Sequence, residues 1–137
     1  MDGLAKSDGF VFIAGGVGLT PMISMLRTLA DRSDSRHHRL LIGARSLEDL
    51  MLRDEIDQLR GQLNLTVTQV IEAPPPGWDG ESGRMDAELL DKYLPHASRH
   101  HEYFLCGPPP MVIAVGQQLR ERGIATKHIH TERFEVV

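Results

Sequence analysis

Residues 10–21, FVFIAGGVGLTP, join an apolar run to a glycine turn and the start of a helix. Residues 10–14 are apolar at every position, which is typical of a strand buried on both faces of a parallel sheet. We expect a helix after the turn, because Thr20 can cap it and Pro21 suits its first position. Its apolar stripe comprises Met22, Met25, Leu26 and Leu29. A strand, a turn and an amphipathic helix in this order predict an α/β fold.

The same alternation continues along the chain. Further strands are predicted at residues 39–44, 63–71 and 103–106, with a short one inside 127–136. Helices are expected between them, one of them running from a capping box at Ser46 to Leu59 and another capped by Asp86. Right-handed crossovers then predict a doubly wound parallel sheet of five strands in the order 3-2-1-4-5, with helices on both faces.

Composition and charge exclude several classes of function. A net charge of −4 argues against general nucleic-acid binding and against an anionic membrane surface. The longest apolar run is too short for a membrane span and no export signal is visible, so no membrane contact is predicted from this segment. A single cysteine permits no internal disulfide, which predicts a reducing, cytoplasmic location.

The seven histidines do not predict a metal site. His128 and His130 share one strand face, but no carboxylate or cysteine stands at ligand spacing from them. The pairs at residues 37–38 and 100–101 precede strands and are predicted to be solvated. No histidine has a partner arrangement that would make Cys106 a nucleophile.

Two sequence signals are predicted to meet at one edge of the sheet. Cys106 ends the fourth strand, because Gly107 and the prolines that follow cannot continue a sheet ladder. The order 3-2-1-4-5 places this end beside the glycine turn at residues 15–18, where ligands bind in open parallel sheets. Two interpretations remain for each signal: Cys106 is a buried hydrophobe or a site residue, and the turn is tight geometry or a phosphate cradle.

These motifs carry a family resemblance over nearly the whole chain. GGVGLTP after FVFIA, followed by CGPPPM at residues 106–111, resembles the nicotinamide-nucleotide domain of the ferredoxin–NADP⁺ reductase superfamily. Supporting pieces are GARS at 43–46, LRDEI at 52–56 and TERF at 131–134. The loop at 76–84 resembles that of bacterial oxygenase reductases and ferric-reductase-like proteins. The resemblance implies one NAD(P)H-binding domain over residues 1–137.

The resemblance also implies roles for individual residues. Cys106 and Glu132 are the implied catalytic residues, with Cys106 shaping hydride transfer near the nicotinamide C4. The implied cofactor-binding residues are Gly15, Gly16, Val17, Gly18, Thr20, Pro21, Arg45, Ser46, Cys106, Gly107, Pro108, Met111 and Phe134.

Several of these roles have structural alternatives. Arg45 can pair with a 2′-phosphate, lie against adenine or be solvated, so NADPH is permitted and NADH is not excluded. Met111 approaches the adenosine side or belongs to the core. Glu132 and Phe134 lie near the nicotinamide and the flavin, or are a surface carboxylate and a core residue. Trp78, in the long loop at residues 73–85, is predicted to be a loop anchor rather than a wall of the adenine site.

The expected hydride acceptor is a flavin outside this segment. The resemblance implies FAD on a separate barrel domain or subunit. The chain has no Arg-x-Tyr-Ser-like flavin motif and no four-cysteine cluster site, so we expect no turnover by this chain alone. The downstream electron acceptor is not predicted. The sequence thus predicts the NAD(P)H domain of a flavin-dependent oxidoreductase. The alternatives are a nucleotide-binding sensor without redox turnover and a structural α/β domain without a ligand.

Overall fold

The computed structural model describes residues 6–50, 52–96 and 100–133. Strands and helices alternate along these residues, as the apolar pattern predicts. The elements are β1 (Gly9–Gly15), α1 (Leu19–Asp31), β2 (His38–Ala44), α2 (Arg53–Arg60), β3 (Leu65–Ile71), β4 (Glu81–Ser82), α3 (Ala87–Tyr93), β5 (His101–Gly107), α4 (Pro109–Glu121) and β6 (Ile129–Arg133). Single 3₁₀ turns lie at Gly16–Gly18, Leu47–Asp49 and Thr126–His128.

The described strands form one parallel sheet in the order β4-β3-β2-β1-β5-β6. The predicted five strands in the order 3-2-1-4-5 are therefore wrong, because the sheet has six. The additional strand, β4, pairs Glu81 with Val70 at the edge of the sheet. Two polar residues inside a loop carry no strand periodicity, so this pairing leaves no signal in the sequence. The predicted contact between the first strand and the cysteine strand is confirmed, since Ala14 pairs with Cys106.

Helices cover both faces of the sheet, as predicted. On one face, α1 and α2 pack over the α1-face cluster, which includes Phe12, Leu26 and Ile42. On the other face, α3 and α4 pack over the α4-face cluster, which includes Ile13 and Leu119. Alternate residues of β1 enter the two clusters, because successive side chains of a strand point to opposite faces.

Helix starts depart from the predicted caps in two places. Gly18 is the N-cap of α1, so Thr20 is an exposed residue inside the helix rather than its cap. The helix predicted to run from Ser46 is interrupted, because Leu52 has a left-handed φ of 57° immediately before α2. Ser46 instead donates through Oγ to Asp49 Oδ2 at 3.0 Å. The predicted cap at Asp86 is confirmed, since its Oδ1 accepts from the Leu89 N–H at 3.0 Å.

A buried histidine ties the start of β1 to the start of β2. His38 is fully buried, its Nδ1 accepts from the Phe10 N–H at 3.0 Å, and its Nε2 lies 3.0 Å from Asp34 Oδ1. Arg36 forms an ion pair with Asp34 at 2.7 Å and lies over the Phe10 ring. We call these four residues the His38 clasp. Solvation was predicted for both histidine pairs, and it is wrong for His38 and for His101, which is also buried.

A second polar cluster joins β5 to β6 at the other side of the sheet. The buried carboxylate of Glu102 lies 2.5 Å from His128 Nδ1 and 3.0 Å from His130 Nε2. His130 also stacks on Phe104, with ring centroids 4.8 Å apart. Within residues 6–50, 52–96 and 100–133, no group of side chains could hold a metal ion. No helix in the same ranges is long and apolar enough to cross a membrane.

Candidate nucleotide site

A cavity of about 760 Å³ opens at the carboxyl edge of the sheet. This volume lies within the usual range of small-molecule and cofactor sites, about 300–1,000 Å³. One end is formed by Gly15, Gly16, Pro108 and Met111, and the other by residues that follow β2 and β3. The cavity therefore joins the glycine turn to the strand ends that read an adenosine ribose in doubly wound domains.

The glycine turn packs directly against the end of β5. A Cβ added to Gly18 would lie 2.1 Å from the Cys106 carbonyl oxygen, so only glycine permits this approach. Gly16 has a φ of 57° and open space around its Cα, which leaves its backbone accessible to a ligand. This cradle, followed by the N-terminus of α1, fits the pyrophosphate of a dinucleotide.

Cys106 lies beside this turn. Its side chain is on the face of the sheet that α1 covers, whereas α4, on the other face, contributes part of the cavity lining. Its side chain is buried among the α1-face cluster, and its Sγ donates to Glu132 Oε2 at 3.9 Å. Burial raises the pKa of the Cys106 thiol to about 11, and the Glu132 carboxylate acts in the same direction. Cys106 therefore stays a neutral thiol at physiological pH, which agrees with a positioning role and not with nucleophilic attack.

The structure brings together only part of the predicted binding set in the cavity. Gly15, Gly16, Arg45, Pro108 and Met111 line it. Met111 lines the cavity and also packs against the α4-face cluster, and a Cβ on Gly15 would meet its Sδ at 2.5 Å.

The remaining predicted residues lie around the cavity rather than in its lining. Gly18, Gly107 and Cys106 form the contact between the turn and β5, and Glu132 faces Cys106 from β6. Thr20 and Pro21 are the second and third residues of α1, and Ser46 bonds to Asp49. Val17 contributes its backbone to the 3₁₀ turn Gly16–Gly18. Phe134 lies outside the described residues.

Sequence reasoning missed most of the lining at the cavity end formed by residues that follow β2 and β3. The lining that it did not identify comprises Gly43, Ala44, Asp49, Val70, Glu72, Gly83, Arg84, Met85, Pro110, Ala114 and Val115. Glu72 directly follows β3, so the same strand-end rule that identified Arg45 would have found it. Arg84 Nε lies 3.3 Å from Glu72 Oε1, which sets opposite charges side by side in the lining.

The loop at residues 73–85 forms one wall of this end. Trp78 Nε1 donates to the Glu81 carbonyl oxygen at 3.0 Å, and the indole packs against the α1-face cluster. Trp78 does not line the cavity, and its contacts are those expected of a loop anchor. Hydrogen bonds from Lys92 and Tyr93 lower the pKa of the Glu81 carboxyl, so this group is ionised at neutral pH.

Comparison with known proteins identifies the family of this fold and cleft. The model of the oxidoreductase NAD-binding domain matches residues 12–117. The chain belongs to this family. It is 33% identical over 118 residues to NADH-cytochrome b5 reductase 1 of Aspergillus terreus, covering 81% of this chain and 40% of the relative. It is 34% identical over 131 residues to ferredoxin–NADP reductase B of Sorangium cellulosum, covering 91% and 54%.

A solved structure shows the same architecture in this NAD-binding family. The cytochrome b5 reductase domain of Ulva prolifera nitrate reductase superposes with a TM-score of 0.82 at 28% identity, covering 92% of this chain and 49% of that one. The resemblance to the ferredoxin–NADP⁺ reductase superfamily is thus confirmed. The chain spans about half the length of these relatives.

Proposed function

We propose that the chain binds NAD(P)H and positions its nicotinamide for hydride transfer to a flavin held by a separate domain or subunit. The observation that carries this proposal is the continuous edge formed by the cavity, the glycine turn and the Cys106–Glu132 pair. The cavity accommodates the adenosine half, and the turn supplies a backbone cradle for the pyrophosphate. When bound, the nicotinamide supplies the hydride, and the flavin accepts it.

This chain's own residues bind the nucleotide, orient its nicotinamide and exclude water. Gly15, Gly16 and Pro108 define the floor between the adenosine end and the β5 end. Arg45 and Arg84 offer cations for a 2′-phosphate, whereas Glu72 offers an acceptor for a 2′-hydroxyl. Because both signs line the same end, the chain is proposed to take NADH or NADPH.

Cys106 and Glu132 are proposed to shape the reacting end. The buried neutral thiol presents a small, weakly polar surface, and Glu132 accepts its S–H. Neither group needs to change its protonation state to position a ring, so their contribution is orientation rather than proton transfer. Phe134 is proposed to lie near the flavin, as the family resemblance implies.

The partner that completes this function is proposed to be a flavin-binding barrel carrying FAD, as a domain or a subunit. The single cysteine supports a reducing, cytoplasmic location for this domain. The alternative function, a sensor that binds nucleotide without redox turnover, rests on the same cavity but assigns no role to the Cys106–Glu132 pair.

The test begins with calorimetric titration of the chain with NADH and with NADPH. Binding of at least one nucleotide is expected, followed by its oxidation when an FAD-loaded barrel domain is added and nucleotide absorbance is recorded. Absence of binding by both nucleotides would overturn the nucleotide function. Binding without oxidation in an assembled pair would favour the sensor.

Two variants then test the reacting end. Cys106→Ala is expected to slow hydride transfer about 10-fold or more while nucleotide affinity changes less than about 3-fold, because the thiol is proposed to act at the reacting end and does not line the cavity. Cys106→Ser is the matched control, because it keeps the size and the donor and should retain more of the rate. Equal losses in affinity and rate for Cys106→Ala would contradict the positioning role.

A further inference from the structure

The loop at residues 73–85 forms a wall of the cavity end proposed to hold adenosine. The loop at residues 73–85 leaves β3, pairs briefly as β4 and returns to α3. Its last residues, Gly83, Arg84 and Met85, line the cavity. The backbone bonds at this point are those of the two-residue strand, the bond from the Gly83 N–H to the Ile71 carbonyl at 3.0 Å and the bond from the Asp86 N–H to the Arg84 carbonyl at 2.8 Å.

Glu81 joins this wall to the end of α3. Its Oε1 accepts from Lys92 Nζ at 2.8 Å and from the Tyr93 hydroxyl. Its backbone oxygen accepts from Trp78 Nε1 at 3.0 Å. One residue thus connects the loop anchor, the edge strand and a helix that packs on the sheet.

We call the hydrogen bonds from Lys92 and Tyr93 to the Glu81 carboxylate the tether. The cavity-lining residues Arg84 and Met85 follow Glu81 closely in the chain. Glu81 precedes Arg84 by three positions, and Arg84 pairs with Glu72 across the cavity end. Met85 reaches β2, since a Cβ on Gly43 would lie 3.5 Å from its Cε. A shift of Glu81 would therefore move a cation and an apolar side chain at the same end of the cavity.

We propose that Glu81 is a positioning residue that sets the affinity of the site for the adenosine half of the nucleotide. This role rests on the proposed nucleotide function and adds a residue that does not itself line the cavity. The tether is remote from Cys106 and Glu132, so it acts on binding and leaves the hydride-transfer step unchanged.

The expected loss of affinity depends on the fraction of molecules in which the loop at residues 73–85 is positioned for binding. When a binding-competent conformation is only partly populated, the apparent Kd rises by the inverse of that fraction. Two charge-assisted hydrogen bonds hold the Glu81 carboxylate, and each is individually modest near the surface. We expect Glu81→Ala to weaken binding of ADP-ribose and NADH about 5- to 10-fold and Tyr93→Phe about 2- to 3-fold.

The experiment uses the full chain and separates the two halves of the nucleotide. ADP-ribose, NADH and nicotinamide mononucleotide are titrated calorimetrically, and KM and kcat are measured with an FAD-loaded barrel domain. Glu81→Ala should raise Kd for ADP-ribose and KM for NADH, while kcat and the mononucleotide affinity stay at the wild-type values. Glu81→Gln should restore part of the affinity, because its amide oxygen can still accept from Tyr93.

The matched control is Asp91→Asn, which removes an ion pair to Arg122 from the same helix but away from the loop. This variant should leave every affinity unchanged. Trp78 is the only tryptophan, so its fluorescence anisotropy reports the loop directly and should fall in Glu81→Ala.

Three outcomes would overturn the proposal. They are an unchanged ADP-ribose affinity in Glu81→Ala, an equal loss in Asp91→Asn, and a fall in kcat that accounts for the whole effect. Failure of the wild-type chain to bind NADH would instead overturn the proposed function and this role with it. If the wild-type chain binds NADH and Glu81→Ala binds NADH and ADP-ribose with the same affinity as the wild type, only the positioning role is overturned.

Discussion

The His38 clasp should make the stability of the fold depend on pH below neutrality. A backbone N–H can only donate, so the bond from Phe10 requires an unprotonated Nδ1. The ring is therefore neutral in the folded state, with its proton on Nε2 donated to Asp34. Burial lowers the pKa of His38 below its ordinary value of 6.5, and the opposing hydrogen bond that His38 donates to Asp34 does not cancel this effect.

The sign of the pH dependence follows from that shift. As pH falls through 6.5, the unfolded chain takes up a proton at residue 38 while the folded chain resists it, so the free energy of unfolding decreases. One such group contributes a slope of up to about 1.4 kcal/mol per pH unit until the folded pKa is reached. Asp34 does not enter this window, because its pKa is held well below its usual range, first by the hydrogen bond from Arg36.

Two substitutions at position 38 separate the hydrogen bond from the titration. His38→Leu leaves the buried Phe10 N–H without its acceptor and should cost about 1–3 kcal/mol at pH 7.5. In His38→Asn the side-chain oxygen can replace Nδ1, so it should cost less and carry no charge at any pH.

Urea unfolding followed by far-UV circular dichroism at several values between pH 7.5 and pH 5 measures these differences. The stability advantage of the wild type over His38→Asn should shrink below pH 6.5. An advantage that is constant across this range would refute the assignment of a neutral, buried ring.

Three further substitutions test the site and the fold. Gly18→Ala places a Cβ 2.1 Å from the Cys106 carbonyl oxygen, so it should cost about 1–3 kcal/mol of stability and weaken NADH binding about 10-fold in calorimetry. Glu72→Gln removes a negative charge and its pairing with Arg84, so the ratio of NADPH to NADH affinity should rise about 2- to 5-fold; a fall in this ratio would contradict the assignment. Ser33→Gly should raise the melting temperature by a few degrees, about 0.5–1 kcal/mol, because Ser33 follows α1 with a left-handed φ of 53°.

The major strands could be predicted because burial on both faces leaves continuous apolar runs. Residues 10–14 and 103–106 show this pattern, and the right-handed crossover rule is enough to bring them together. The edge strand β4 could not be predicted, because its two polar residues acquire strand geometry only by pairing with β3. The capping pattern at Ser46 was misleading for a related reason, since local hydrogen bonding closes a single turn there and Leu52 then breaks the helical path.

The candidate site also contains residues that a short motif identifies and residues that only the folded structure brings together. Gly15 and Gly16 could be predicted because they stand in a short glycine motif between a strand and a helix, where a ligand can approach the backbone. The cavity end proposed to hold adenosine is assembled from Arg45, Glu72 and Arg84, which come together only when two strand ends and a loop meet. The burial of His38 has the same origin, because its partners lie on β1 and on the segment that follows α1.

Cys106 has a practical consequence as the only thiol in the chain. A maleimide or a disulfide reagent can label this protein at a single atom, at the edge where the glycine turn meets β5. The thiol is 3% exposed and its pKa is raised to about 11, so labelling requires the turn to move away and a thiolate to form. At fixed pH, the labelling rate therefore reports how often the glycine turn moves away from the end of β5. The native cysteine is a built-in probe of this local motion.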